Sequence, residues 1–204
     1  MKISMVIYGT RGDVQPMLAL ALELRNNGND VILCAPPENE SLVKSYGCPF
    51  AAVGTSLKQV IEKNSNRQAQ TRTRPSARFM KQEITNQVNQ LPDILKGSDM
   101  VLAVGFVFGV PIVAEYMGIT YRFMAFYPGI FGAGRNDPWY GRLLWKLGKR
   151  TVNAVLKGFI NDTRKKFGLK PVKDVWSSWM GDRPIVASFP ALGGLSEGLD
   201  FNAI

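Results

Sequence analysis

Residues Tyr8 to Pro16 read YGTRGDVQP. An apolar run, Ile3, Met5, Val6 and Ile7, leads into the stretch, and a helical one, Met17, Leu18, Leu20, Ala21 and Leu24, leads out of it. A glycine-containing turn between a first strand and a first helix is where nucleotide-binding proteins hold phosphates. This turn is built differently. The dinucleotide fingerprint GxGxxG brings bare backbone amides up to a pyrophosphate. Here only Gly9 and Gly12 are present, and Asp13 follows them. No Gly-Lys-Ser/Thr run is present, so the turn is not a P-loop either. A carboxylate at this helix start stands where a phosphate would sit, and two anions repel. Asp13 therefore needs another explanation. One is helix capping, since aspartate is a preferred N-cap contributing about 1 kcal/mol, and Pro16 suits the first turn of the same helix. The other is a ligand, because the C-terminal edge of a parallel sheet is where ligands bind. Both readings can hold together.

Working outward, Lys2 to Tyr8 reads as a buried strand, and Val14 to Asn27 as a helix closed by Gly28. Asp30 to Cys34 is a second strand, Glu38 to Tyr46 a short helix, and Phe50 to Val53 a third strand. The connections are too long for hairpins and suit crossovers, so the strands are expected to run parallel. Phe79 to Leu95 reads as a helix and Met100 to Val104 as a strand. Phe108 to Met117 is a helix, Thr120 to Ala125 a strand, and Ile185 to Ser188 a last strand. The fold class is α/β: a Rossmann-like parallel sheet with helices on both faces. One domain over residues 1–190 is expected, with residues 191–204 as a tail or the start of a linker. The stretch 54–76 is polar and reads as a long loop with a short helix near Leu57 to Glu62; loops of that length are usually functional or disordered.

The chain has 204 residues, 46% of them hydrophobic, and a net charge of +9. It contains no histidine, which removes Ser/His/Asp triads, Cys/His pairs and histidine metal ligands. The two cysteines, Cys34 and Cys48, sit in no metal-ligand spacing, and a cytoplasmic, reducing compartment is the simplest reading. The N-terminal apolar run is too short for a signal peptide and runs into Thr10-Arg11-Gly12-Asp13. The most apolar region, Met100 to Ala114, is shorter than the ~18 residues a membrane-spanning helix needs. Residues 139–167 carry most of the charge, with eight Lys or Arg against the single acid Asp162. Apolar residues recur there at helical spacing, so the segment is a basic amphipathic helix. Its reading is either a helix packed on the sheet with a solvated basic face, or one lying on an anionic membrane surface.

The stretch YGTRGDVQPMLALALELRNNG, followed by DVILCAPPENESLVKSYGCPFAAVG and later by GLKPVKDVW, resembles glycosyltransferase family 28. The resemblance is to the N-terminal domains of its sterol glucosyltransferases and vancomycin-type antibiotic glycosyltransferases, and it runs to about Pro190. It implies half of a GT-B fold, in which two Rossmann-like domains face a cleft. The N-terminal domain binds the acceptor, and the C-terminal domain binds a UDP- or TDP-sugar without a metal. By this resemblance Asp13 is the general base that takes a proton from the acceptor hydroxyl, so that its oxygen attacks the sugar C1 with inversion. Relatives often carry histidine in the first turn and before the second strand; this chain has neither.

The C-terminal domain is absent from this chain, so the chain alone is expected to be inactive without a donor-binding domain, supplied in cis or as a separate chain. The acceptor is expected to be lipophilic: a sterol, a lipid or another aglycone. Candidate acceptor-binding residues follow the first, fourth and fifth strands: Thr10, Arg11 and Gly12, then Phe106 and Phe108, then Phe126 and Tyr127. The aromatics suit an apolar pocket, with core capping as the alternative for each. The competing reading is a non-catalytic, membrane-associated or small-molecule-binding Rossmann-like module. Nucleic acid is disfavoured, because aromatic and basic residues are not interleaved on a strand platform.

Overall fold

The computed structural model describes residues 1–59, 76–131 and 138–188. Most of the polar stretch 54–76 and the tail 191–204 lie outside the described residues. The chain forms two compact units, Met1–Tyr121 and Arg122–Ile204.

The first unit contains β1 (Lys2–Tyr8), α1 (Arg11–Asn26), β2 (Asp30–Ala35), α2 (Glu40–Ser45), β3 (Phe50–Ala52), α3 (Ala77–Ile94), β4 (Met100–Gly105) and α4 (Val110–Met117). The strands lie side by side in the order β3-β2-β1-β4. All three pairings are parallel, with Met5 opposite Leu33 on one side and Leu102 on the other. The expected Rossmann-like α/β architecture is the one observed. Strands covered on both faces read as continuous apolar runs, and Ile3 to Tyr8 are all buried. α1 covers the sheet with Val14, Met17, Leu18 and Ala21, one stripe at helical spacing.

The order reverses between β1 and β4: β2 and β3 lie to one side of β1, and β4 to the other. This switch point is where doubly wound sheets open a crevice beyond their strand ends. It places the β1–α1 turn beside the β4–α4 turn.

Three local expectations are corrected. Thr10, not Asp13, is the N-cap of α1; Asp13 is the third residue of the helix. Pro16 lies inside α1 rather than in its first turn. Having no N–H, it leaves the Gly12 carbonyl without the usual bond from four residues ahead. Finally, α2 is preceded by a 3-10 turn at Pro37–Asn39, so the α-helix starts only at Glu40.

β5 (Thr120–Ala125) begins at the end of the first unit and continues into the second, which also contains a 3-10 turn at Pro128–Phe131, α5 (Trp139–Lys166), α6 (Val175–Met180) and β6 (Ile185–Val186). β5 and β6 pair in parallel. α5 buries Leu156, Ile160, Thr163 and Arg164. Its inner side is fixed to the segment around α6. Lys149 pairs with Asp174 at 2.6 Å, and Asn153 donates to Asp174 and accepts from the Val175 amide. Burial alone would raise the Asp174 pKa, but hydrogen bonds from Lys149, Ser177 and Asn153 outweigh it and bring the value down to about 2. Trp145, Trp176, Trp179 and Phe123 stack edge to face beside this junction.

Candidate active site

The site is built from the residues that leave β1. Thr10 is the N-cap of α1, and Asp13 folds back over the turn. The Asp13 Oδ2 accepts the Thr10 amide at 2.7 Å and the Thr10 hydroxyl at 3.1 Å. This is the carboxylate half of a capping box, a short-range arrangement that needs no help from distant residues. It also explains Gly9, because any Cβ there would collide with the Asp13 carboxylate. Among the described residues Asp13 Oδ1 has no hydrogen-bond partner, and the side chain is half-buried. One oxygen therefore fixes the group and the other is open. Arg11 and Gly12 are exposed at the start of α1, and Arg11 makes no ion pair among the described residues.

The β4 exit lies against this turn. The Phe106 amide donates to the Tyr8 carbonyl at 2.8 Å. Gly105 makes the approach feasible: its φ is +83°, and a Cβ would strike that same carbonyl. Phe106 is half-buried, 6.4 Å from the Tyr8 ring. Phe108 is buried and meets Phe106 edge to face at 4.9 Å. Phe108 thus backs Phe106 rather than facing solvent. Phe126 and Tyr127 follow β5 in the second unit; Phe126 is half-buried and Tyr127 exposed.

A row of polar side chains on α3 escaped the sequence reading. Glu83, Gln87 and Gln90 recur one helical turn apart, on the side of the helix that faces the sheet edge. Glu83 and Gln87 are fully buried. The Gln87 side chain donates to the Phe106 carbonyl at 2.7 Å and accepts the Gly109 amide at 2.8 Å. α4 starts at Val110, two residues later than the sequence pattern suggests, and this clamp satisfies the amide of its N-cap, Gly109. Glu83 accepts the Thr55 backbone amide at 3.0 Å, the Thr55 hydroxyl, and the Asn86 side-chain Nδ2 at 3.0 Å. Gln90 accepts the Gly54 amide at 2.8 Å. Burial and the nearby Glu83 carboxylate push the Tyr8 hydroxyl far above its ordinary pKa, so it stays protonated. α3 therefore holds the exits of both β3 and β4 in place. Among the described residues no cluster of three His, Cys, Asp or Glu is able to hold a metal ion.

Residues 3–128 match the glycosyltransferase family 28 N-terminal domain. The chain belongs to this family. It is 29% identical over 219 residues to the vancomycin aglycone glucosyltransferase of Amycolatopsis orientalis, an alignment covering 100% of the chain and 52% of that protein. It is 25% identical over 198 residues to the dTDP-epi-vancosaminyltransferase of the same organism, covering 96% of the chain and 48% of that protein. The chain spans about half the length of these relatives. Among solved structures it resembles the Streptomyces sp. SF2575 glycosyltransferase SsfS6 in complex with thymidine diphosphate. The TM-score is 0.62 at 18% identity, over 96% of this chain and 51% of that one. The shared fold is that of a GT-B glycosyltransferase N-terminal domain.

Proposed function

We propose that this chain is the acceptor-binding half of an inverting, nucleotide-sugar-dependent glycosyltransferase acting on a hydroxyl of a lipophilic acceptor, with Asp13 as general base. The observation that carries the reading is the division of labour within the Asp13 carboxylate. Oδ2 is held by Thr10, while Oδ1 is open at the switch point of the sheet. An acceptor hydroxyl placed against Oδ1 would give up its proton there as its oxygen forms the bond to the sugar C1. The bond from C1 to the diphosphate breaks, and the nucleoside diphosphate leaves with the electron pair. Attack from the face opposite the leaving group inverts C1.

Phe106, backed by Phe108 and with its carbonyl held by Gln87, supplies an apolar surface at the neighbouring turn, as an aglycone requires. The names of the antibiotic-glycosylating relatives support an aglycone acceptor, and the thymidine diphosphate held by SsfS6 supports a TDP- or UDP-sugar donor. The donor would be bound by a second half, in cis or as a separate chain, and transfer would require both. Thr10, Arg11, Gly12, Phe126 and Tyr127 remain acceptor-binding candidates in this reading.

The test is the Asp13→Asn variant, assayed for transfer with the donor-binding half present. Asparagine retains an oxygen for the Thr10 amide, so the turn is expected to survive. Positioned acid–base groups contribute about 10²–10⁴-fold, so turnover should fall by at least about 10²-fold with acceptor affinity nearly unchanged. Turnover within a factor of a few of the parent would remove Asp13 from the chemistry.

A further inference from the structure

A helix that packs on one side normally shows polar residues on the other. The first half of α5 does the opposite. Its inner side is occupied by Trp145 and Lys149, which face Trp176 and Asp174. On the outer side, Trp139, Leu143 and Leu147 recur every four residues, with Tyr140 and Leu144 beside them. All five are between 46% and 69% exposed. A second row, Arg142, Lys146 and Arg150, runs along the border of this stripe and is exposed. None of the three makes an ion pair among the described residues.

The second half of the same helix is conventional. The exposed positions that continue the stripe there are Thr151, Ala154, Gly158, Asp162 and Lys165, none of them a large apolar residue. The apolar stripe is therefore confined to one end, the end that starts with Trp139 and Tyr140. The only acid on the whole helix, Asp162, lies at the other end.

We infer that the first half of α5 docks on an anionic lipid bilayer. Trp and Tyr favour the headgroup level, leucines reach the acyl boundary, and basic side chains at the border meet lipid phosphates. The charge pattern favours lipid over protein: the basic row is continuous and unbroken by any carboxylate, complementary to a uniformly negative surface rather than to a mixed one. No helix among the described residues is long and apolar enough to cross a membrane, so the contact is peripheral. This inference stands apart from the acceptor reading, since it uses none of the residues around Asp13.

The experiment is flotation of this chain with vesicles of phosphatidylcholine containing phosphatidylserine, an anionic lipid without a headgroup hydroxyl, against phosphatidylcholine alone. The parent chain should float with the anionic vesicles and be released by salt. The pair Leu143→Glu and Leu144→Glu should lower binding by at least about tenfold, since apolar insertion and charge both turn unfavourable. Arg142→Glu with Lys146→Glu should do the same through charge alone, by roughly fivefold or more per residue. Asp13→Asn should bind like the parent. All four substituted α5 positions are exposed, so unchanged circular dichroism is expected to confirm folding. Absence of binding to anionic vesicles, or equal binding by the Leu143→Glu/Leu144→Glu chain, overturns the inference. So does a parent chain that self-associates through this stripe without floating, because the occupant is then protein.

Discussion

Two turns meet at the switch point of the sheet, and they are held by opposite means. The β1–α1 turn is self-contained. Asp13 is fixed by Thr10, three residues away, and Gly9 clears the space. The β4–α4 turn is held from a distance: Gln87 reaches Phe106 and Gly109 across 19 and 22 residues of sequence. One turn presents an open carboxylate oxygen, the other an aromatic face. The contrast teaches that the Asp13 carboxylate and the Phe106 ring are positioned by separate sets of bonds. Damage to one should leave the other largely intact.

The largest expected effect comes from the carboxylate. Asp13→Asn should cut transfer by at least about 10²-fold while leaving the melting temperature within a degree or two of the parent. Comparing turnover with thermal unfolding checks the separation. If the variant unfolds instead, the first turn is a structural cap before it is a reactive one.

Gln87→Leu should do the reverse. It leaves the Phe106 carbonyl and the Gly109 amide buried without partners, at a cost of about 2–3 kcal/mol. Urea unfolding should show that loss, and acceptor affinity should weaken while the residual turnover of bound acceptor persists. An unchanged midpoint would mean that Gln87 does not hold the wall.

Gly9→Ala sharpens the comparison within the first turn. The new Cβ must displace the Asp13 carboxylate. Turnover is expected to fall roughly tenfold or more, with a stability loss of about 1 kcal/mol from the disturbed cap. Retained activity would show that the carboxylate works from another position.

The smallest effect lies away from both turns. The Asp174 carboxyl is held near 2 in the folded chain, against an ordinary 3.8. A depressed folded pKa contributes stability above the ordinary value, and that stability is lost as pH falls through about 2. Because the group is partly solvated, the contribution is about 1 kcal/mol after allowance for screening. Asp174→Asn should therefore lower stability at pH 7 and flatten the dependence of unfolding free energy on pH between about 4 and 2. A parallel shift of the whole curve would contradict this.

Much of the fold was legible because its determinants are local. The apolar run of β1, the stripe Val14, Met17, Leu18 and Ala21, and Gly28 with its positive φ after α1 are all read within a few residues. That Asp13 comes just after β1, at the start of α1, was legible too, although it was read as the N-cap and is the third residue of the helix, the cap being Thr10.

The α3 row was not legible. Glu83, Gln87 and Gln90 at helical spacing look like a solvated face, and only their partners at Thr55, Phe106 and Gly54 show otherwise. The sole signal was their register beside Ile84, Val88 and Leu91, and periodicity alone does not say which edge of a stripe is covered. α5 misled in a related way. Its apolar residues were read as one stripe, but Leu156 and Ile160 face inward while Leu143, Leu144 and Leu147 face out. The two sets belong to opposite sides of one helix.

The central claim is that this chain binds the acceptor and not the donor. The most direct measurement is the melting temperature of the chain alone, titrated with lipophilic hydroxyl compounds (sterols and polyphenolic aglycones) and, separately, with UDP- and TDP-sugars. A ligand of the native state raises the midpoint by mass action. Stabilisation by an aglycone, with none from the nucleotide sugars, is the predicted result. Stabilisation by the nucleotide sugars alone would make the Tyr8–Pro16 turn a phosphate site and contradict the role given to Asp13.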